Sequence, residues 1–334
     1  MHIYGFLIHT KTDSEVIIPR MSVFLKGCVA ICMKSNLREK SVVLVLFFMV
    51  CLLLYNWTVE TIPEAHTKPE VVQADISLLL KGDKYTEAEL KILSGQTGLH
   101  PQSIQSLLNQ GRGQELLEIQ QQYFATIQVK ALHSTPLTIS EVLVDSQGNI
   151  CYGMPLVDVQ DGDILLTKNS RFLGWRNGHA ALVVDAQEGL ILEAIMPGTN
   201  SKISSLSKWS AYPSFLVLRL KEKYRKSVED GVPDLTEQIA EYAEKQLVDV
   251  PYLLVAGILE RSLPERMTTV EAVGKTTEQP VKSTKTLKGT QCAHLVWYAY
   301  KQFGIDLDSD GGVIVTPFDI QNSEYLDIVQ TYGY

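Results

Sequence analysis

Residues 178–195 read GHAALVVDAQEGLILEAI, and this stretch decides the kind of fold the chain adopts. An apolar run opens at His179 and closes at Val184, a polar turn containing Gly189 follows, and a second apolar run spans 190–195. Short runs of Val, Ile, Leu and Ala bounded by Asp, Gln and Gly have the length and punctuation of strands. If the two runs pair as a hairpin, it turns through 185–189. Similar β-type runs stand at 141–144, 164–167 and 215–220, with turn residues such as Asp161 and Gly162 between them. A helix is expected from Leu235 to Leu247, with Ile239, Ala240, Tyr242 and Ala243 at helical spacing. Another is expected from Cys292 to Phe303, ended by Gly304. Short strands and separate helices in one stretch of chain make the fold class α+β.

Upstream, residues 74–130 carry a helical pattern. Thr86 followed by Glu89 forms a capping-box signature, Pro101 opens a second helix, and a third run extends from Glu115 to Val129. The segment fits a spacer, a regulatory cap or a binding module equally well. Residues 60–72 are polar, contain Pro63 and Pro69, and read as a tether. The Thr-, Lys- and Glu-rich stretch 261–290 reads as a flexible loop. Four divisions follow: an N-terminal segment 1–40, an anchor 41–59, a tether and helical segment 60–140, and a catalytic domain 141–334.

The anchor is expected because the 41–59 run, SVVLVLFFMVCLLLYNWTV, contains no charged residue. As a transmembrane helix it would rise roughly 28 Å, the thickness of a bilayer core. Lys34, Arg38 and Lys40 precede it, and Glu60 and Glu64 follow it. The positive-inside rule then leaves the N-terminus in the cytoplasm and places the later residues outside it, in the periplasm of a Gram-negative cell. A cleaved signal peptide is the rival reading, but no small-x-small site follows the apolar run. A net charge of −8 and a pI near 5.5 argue against a nucleic-acid partner. The five cysteines, 28, 32, 51, 151 and 292, have irregular spacings that suggest neither a disulfide framework nor a zinc site.

Chemistry concentrates at Cys292 and His179. Cys292 opens a helix, where the dipole favours a thiolate and first-turn N–H groups can face an oxyanion. Leu295, Val296, Ala299 and Phe303 share its apolar face, so position alone fits a buried structural cysteine equally well. His179 enters an apolar strand, which suits either a fixed general base or a histidine satisfied at a sheet edge. Glu193 interrupts LILEAI, either facing solvent or, if the hairpin forms, orienting the imidazole. Tyr252 after Pro251 is by default a core aromatic. His294 points away from Cys292 on the same helix, and His100 and His133 read as surface or capping residues. The run Asp306-x-Asp308-x-Asp310-Gly311 imitates the start of a calcium loop, but Pro317 occupies the position of its bidentate Glu. It reads as a polar turn, and no metal or other cofactor is implied.

GDILL at 162–166, GHAALVVD at 178–185, a Glu on the next strand, Pro251-Tyr252, QCAHLVWYAY at 291–300 and GIDLDSDGGVIVTPFDI at 304–320 together carry a resemblance. Over roughly 155–325 the chain resembles the circularly permuted papain-like amidases, the YaeF/YiiX type of the NlpC superfamily of cell-wall hydrolases. His179 precedes Cys292, the order of the permuted branch. The resemblance implies Cys292 as nucleophile, His179 as general base, Glu193 as orienting residue and Tyr252 beside the nucleophile, in a permuted papain-like domain with a small antiparallel sheet packed on helices. It implies a cell-wall peptide or other amide as substrate, with lipid acyl-ester chemistry as the alternative. A catalytically inactive wall-binding module is the non-enzymatic reading. Ala293-His294 after the cysteine departs from the small polar residue usual there.

Overall fold

The computed structural model describes residues 42, 44–51, 65–82, 84–135, 138–172, 175–225, 233–256, 287–312 and 314–334. The chain divides into two units, Met1–Pro63 and Glu64–Tyr334. In the first, residues 44–51 are helical and leave Leu44, Val45, Leu46, Phe48 and Met49 exposed. Among the described residues no helix is long and apolar enough to cross a membrane. The rest of the expected anchor lies outside the described residues, as do the 1–40 segment and most of the 261–290 stretch.

The second unit begins with three helices, α1 (Glu87–Thr97), α2 (Pro101–Asn109) and α3 (Glu115–Tyr123). The capping box at Thr86 is present: Glu89 N–H donates to Thr86 Oγ1 at 3.2 Å and Thr86 N–H to Glu89 Oε2 at 2.8 Å. Gly98 ends α1 in the left-handed region, at φ 71°, where a Cβ would meet Thr331 O at 2.3 Å. Only glycine lets this turn press against the C-terminal strand.

Strands β1 (Gln128–Thr135), β2 (Thr138–Val144) and β4 (Ser170–Phe172) form a small antiparallel sheet in the order β1-β2-β4. The expected helix to Val129 is corrected here. It stops at Tyr123, and Gln128 already pairs with Val144. Residues 128–135 lie mostly at the surface and carry little periodicity, so pairing with β2, rather than a local signal, makes them a strand.

The main sheet has the order β7-β6-β5-β3-β8-β9, antiparallel throughout. Its strands are β3 (Ile164–Thr167), β5 (His179–Asp185), β6 (Leu190–Glu193), β7 (Lys202–Ser205), β8 (Phe215–Leu220) and β9 (Leu326–Tyr332). Alternate residues point to opposite faces. Leu166, Leu182, Leu192 and Leu218 pack with helices α4 (Leu235–Gln246) and α5 (Cys292–Lys301). Leu165, Val183, Ile191 and Val217 pack with Leu93, Ile104, Leu107 and Leu116 of α1–α3. Both faces are covered, which is why the central strands read as unbroken apolar runs rather than alternating ones. The helical segment before residue 130 is thus the second cover of the sheet and shares its core. Helix α6 (Pro317–Gln321) completes the set, with Thr316 and Asp319 as its own capping box.

Helix α5 differs from the one-faced helix expected from its sequence. Every residue from Cys292 to Tyr300 is buried. The sheet, α4 and α6 surround it, a position that a helix apolar on all sides requires. Tyr300 Oη donates to Gly162 O at 2.6 Å and ties its distal end to the turn before β3.

Candidate catalytic site

The hairpin expected from 178–195 is present, with Leu182 opposite Leu192 and Val183 opposite Ile191. This register makes His179 and Glu193 diagonal neighbours, within reach for long side chains. His179 Nε2 and Glu193 Oε2 lie 2.9 Å apart, and Glu193 is fully buried. The imidazole and this carboxylate have the parity of Ala181 and Ile191, whose face is covered by α1–α3. Cys292 arrives on α5 from the opposite face. The three meet at one end of the sheet, in a cleft of about 200 Å³ that all three line.

With Nε2 held by Glu193, Nδ1 is the ring nitrogen left for the thiol. Burial opposes a charge on His179, but hydrogen bonds to Cys292 and Glu193, and their negative charges, outweigh it and push the imidazole up to about 9. Burial likewise opposes the Cys292 thiolate. The hydrogen bond and charge of His179, helped by the N–H groups of Ala180 and Ala293, hold the thiol below its ordinary range. Burial would raise Glu193, yet His179 first and Lys208 second bring it down to about 2. The pattern is that of a thiolate–imidazolium pair steadied by a carboxylate.

Tyr252 also lines the cleft, and burial together with the charge of Cys292 raises its phenol, so it stands beside the sulfur. His294 is fully buried, with Nδ1 3.1 Å from Thr290 Oγ1, and its ring packs on Trp297. Its role is structural. No family model, no curated protein and no solved structure matches the chain. The arrangement therefore rests on its own geometry.

Three residues escaped the sequence reading. Gln291 caps α5: its Oε1 accepts from Ala293 N–H at 2.9 Å and from the Cys292 thiol at 3.4 Å, while Nε2 donates to Val315 O at 2.6 Å. Its place just before the expected helix was a usable signal, although Gln is not among the favoured caps. Lys208 donates to Glu193 Oε1, and Trp209 stacks on the His179 ring at 5.9 Å and 22°. Both come from the 3-10 turn Leu206–Ala211, whose sequence LSKWSA carries no catalytic signature.

Asp308, Asp310 and Asp319 bring one carboxylate oxygen each within 4.8 Å of the others. Asp308 accepts from Gly311 N–H, Asp310 from Gly312 N–H, and Asp319 from Thr316 N–H. These are the bonds of a polar turn and a helix cap.

Proposed function

We propose that residues 141–334 form a permuted papain-like domain and that the chain is a cysteine-dependent amidase or peptidase. The observation that carries this reading is the convergence of Cys292, His179 and Glu193 on one cleft, with Glu193 bonded to the imidazole. In this reading the Cys292 thiolate attacks a carbonyl carbon and a C–S bond forms. His179 gives its proton to the leaving nitrogen as the C–N bond breaks. Water then attacks the thioester and loses a proton to the imidazole, releasing a carboxylic acid and regenerating the thiolate. The oxyanion of each addition develops at the N-terminus of α5, where the helix dipole favours negative charge. No metal or other cofactor has a part in these steps.

The substrate in this reading is a cell-wall peptide, met outside the cytoplasm by a domain anchored through 41–59. Hydroxyl and amide groups of Ser134, Thr138, Ser140 and Asn177 line part of the cleft and suit a polar, uncharged portion of the substrate. A second reading, transfer or hydrolysis of a lipid acyl ester, is favoured by the apolar part of the lining. Phe172, Ile195, Met196 and Leu254 supply it, and Trp175, also on the lining, is 81% exposed.

The test is the alkylation rate of Cys292 by iodoacetamide against pH, with His179→Ala alongside. The expected wild-type profile shows a thiolate well below the roughly 8.5 of a free thiol. In the variant the rate at pH 6 falls by about two orders of magnitude, because a buried thiol without its cation titrates high. An ordinary thiol indifferent to His179 sinks the catalytic reading and leaves a binding module. Mass spectrometry of acyl-Cys292 after incubation with muropeptides or with phospholipid vesicles then separates the two substrate classes.

A further inference from the structure

Among the described residues, the carboxylate that orients the imidazole has a second cationic partner. Glu193 is completely buried and divides its oxygens, Oε2 to His179 at 2.9 Å and Oε1 to the Lys208 ammonium. The lysine side chain is 31% exposed, so its stem enters from the cleft while its head sits on a carboxylate that water does not reach. The next residue, Trp209, is the one that stacks on the imidazole. One 3-10 turn therefore touches both the carboxylate and the ring. Tyr212 closes that turn and packs on Trp209 at 5.3 Å, its phenol raised by burial and by the charge of Glu193. The other ionisable groups around the site are Cys292 on α5, Tyr252, and Lys202, which is exposed and lies opposite Glu193 on β7.

We propose that Lys208 is a positioning residue that offsets part of the charge with which the Glu193 carboxylate acts on His179. This inference rests on the Cys292–His179 reading above. A carboxylate on the imidazole favours the imidazolium and so slows release of its proton to a leaving group, and both carboxylates and neutral amides orient the histidine in such sites. Here the Lys208 ammonium on Oε1 offsets part of the carboxylate charge while the acceptor geometry at Oε2 is kept. Trp209 fixes the ring plane while the ion pair sets the charge it meets.

The test is a double-mutant cycle read on the alkylation profile of Cys292. Its lower step reports thiolate formation, and its upper step the loss of the imidazolium proton. Lys208→Met leaves Glu193 uncompensated, so the upper step moves up by about one pH unit. Glu193→Gln leaves the ammonium beside the ring, so that step moves down. The double variant returns toward the wild-type position, and Lys208→Arg stays there. Thermal melts establish that each variant folds, and Lys208→Gln replaces the methionine variant if that one does not. Shifts of the same sign, no shift, or no recovery in the double variant overturn the proposal. A wild-type thiol with an ordinary profile overturns the cysteine chemistry itself, and the two failures are distinct.

Discussion

Glu141 and Glu193 are both buried carboxylates, and each holds two cations. Glu141 on β2 accepts from Arg171 and Arg176, and also from Ala65 N–H at 2.9 Å. Glu193 on β6 accepts from His179 and Lys208. The difference lies in the partners. A guanidinium keeps its proton at any usable pH, so the Glu141 cluster is a permanent cross-link between the small sheet, the 168–176 segment and the chain entering at residue 65. An imidazole gives its proton up within the usable range, here at about 9, so the Glu193 cluster can move one. Burial and charge count alone do not distinguish a strut from a proton device; the acidity of the cation does.

The largest expected effect comes from breaking the strut. Glu141→Ala takes the carboxylate from two arginines in a buried setting and costs about 3–5 kcal/mol. Urea unfolding measures the loss. The protein that remains folded keeps the wild-type alkylation profile of Cys292, since the cations on Glu141 are not those on Glu193; a displaced profile would merge the two regions into one.

A smaller effect appears in the pH dependence of stability. The folded imidazole holds its proton up to about 9, the unfolded one to roughly 6.5. Its contribution is complete below roughly 6.5 and is lost as the pH rises through 9. Glu193 is depressed to about 2 from an unfolded value of roughly 4.3. Its contribution is complete above roughly 4.3 and is lost as the pH falls toward 2. Melting temperature against pH is therefore expected to peak between the two limits, and His179→Ala to remove the alkaline decline. An unchanged decline in that variant would place its origin elsewhere.

The smallest effect is expected at Trp209. Its indole is fully buried, but among the described residues Nε1 has no hydrogen-bond partner. Trp209→Phe gives up contact area while removing an unsatisfied donor, so the net loss should stay within about 1–2 kcal/mol. Denaturant midpoints check it, and a loss twice as large would mean that the stack on His179 carries more of the fold than packing alone explains.

Much of this was legible beforehand. The β-type runs at 164–167 and 215–220 are strands as read, because an apolar run of that length between turn residues has few other uses. The capping box at Thr86 and the proline at 101 mark helix starts through chemistry confined to one turn. The hairpin from His179 to Glu193 follows from two strands and a short connection. What was missed shares a physical cause. Strand β1 lies at the surface and has little periodic signal. Lys208 and Trp209 sit on a 3-10 turn too short to have any.

By itself, then, the sequence determined the strand runs at 141–144, 164–167 and 215–220, that Cys292 opens a helix and that His179 opens a strand. Local patterning is enough for this, since a run of side chains records which of its faces avoids water. Only the tertiary structure decided that α1–α3 cover the second face of the sheet and that α5 is enclosed on all sides. It also brought Lys208 onto Glu193 and the sulfur of residue 292 to the ring of residue 179. Those are choices among distant partners of equal apolarity, and packing of the whole chain selects them.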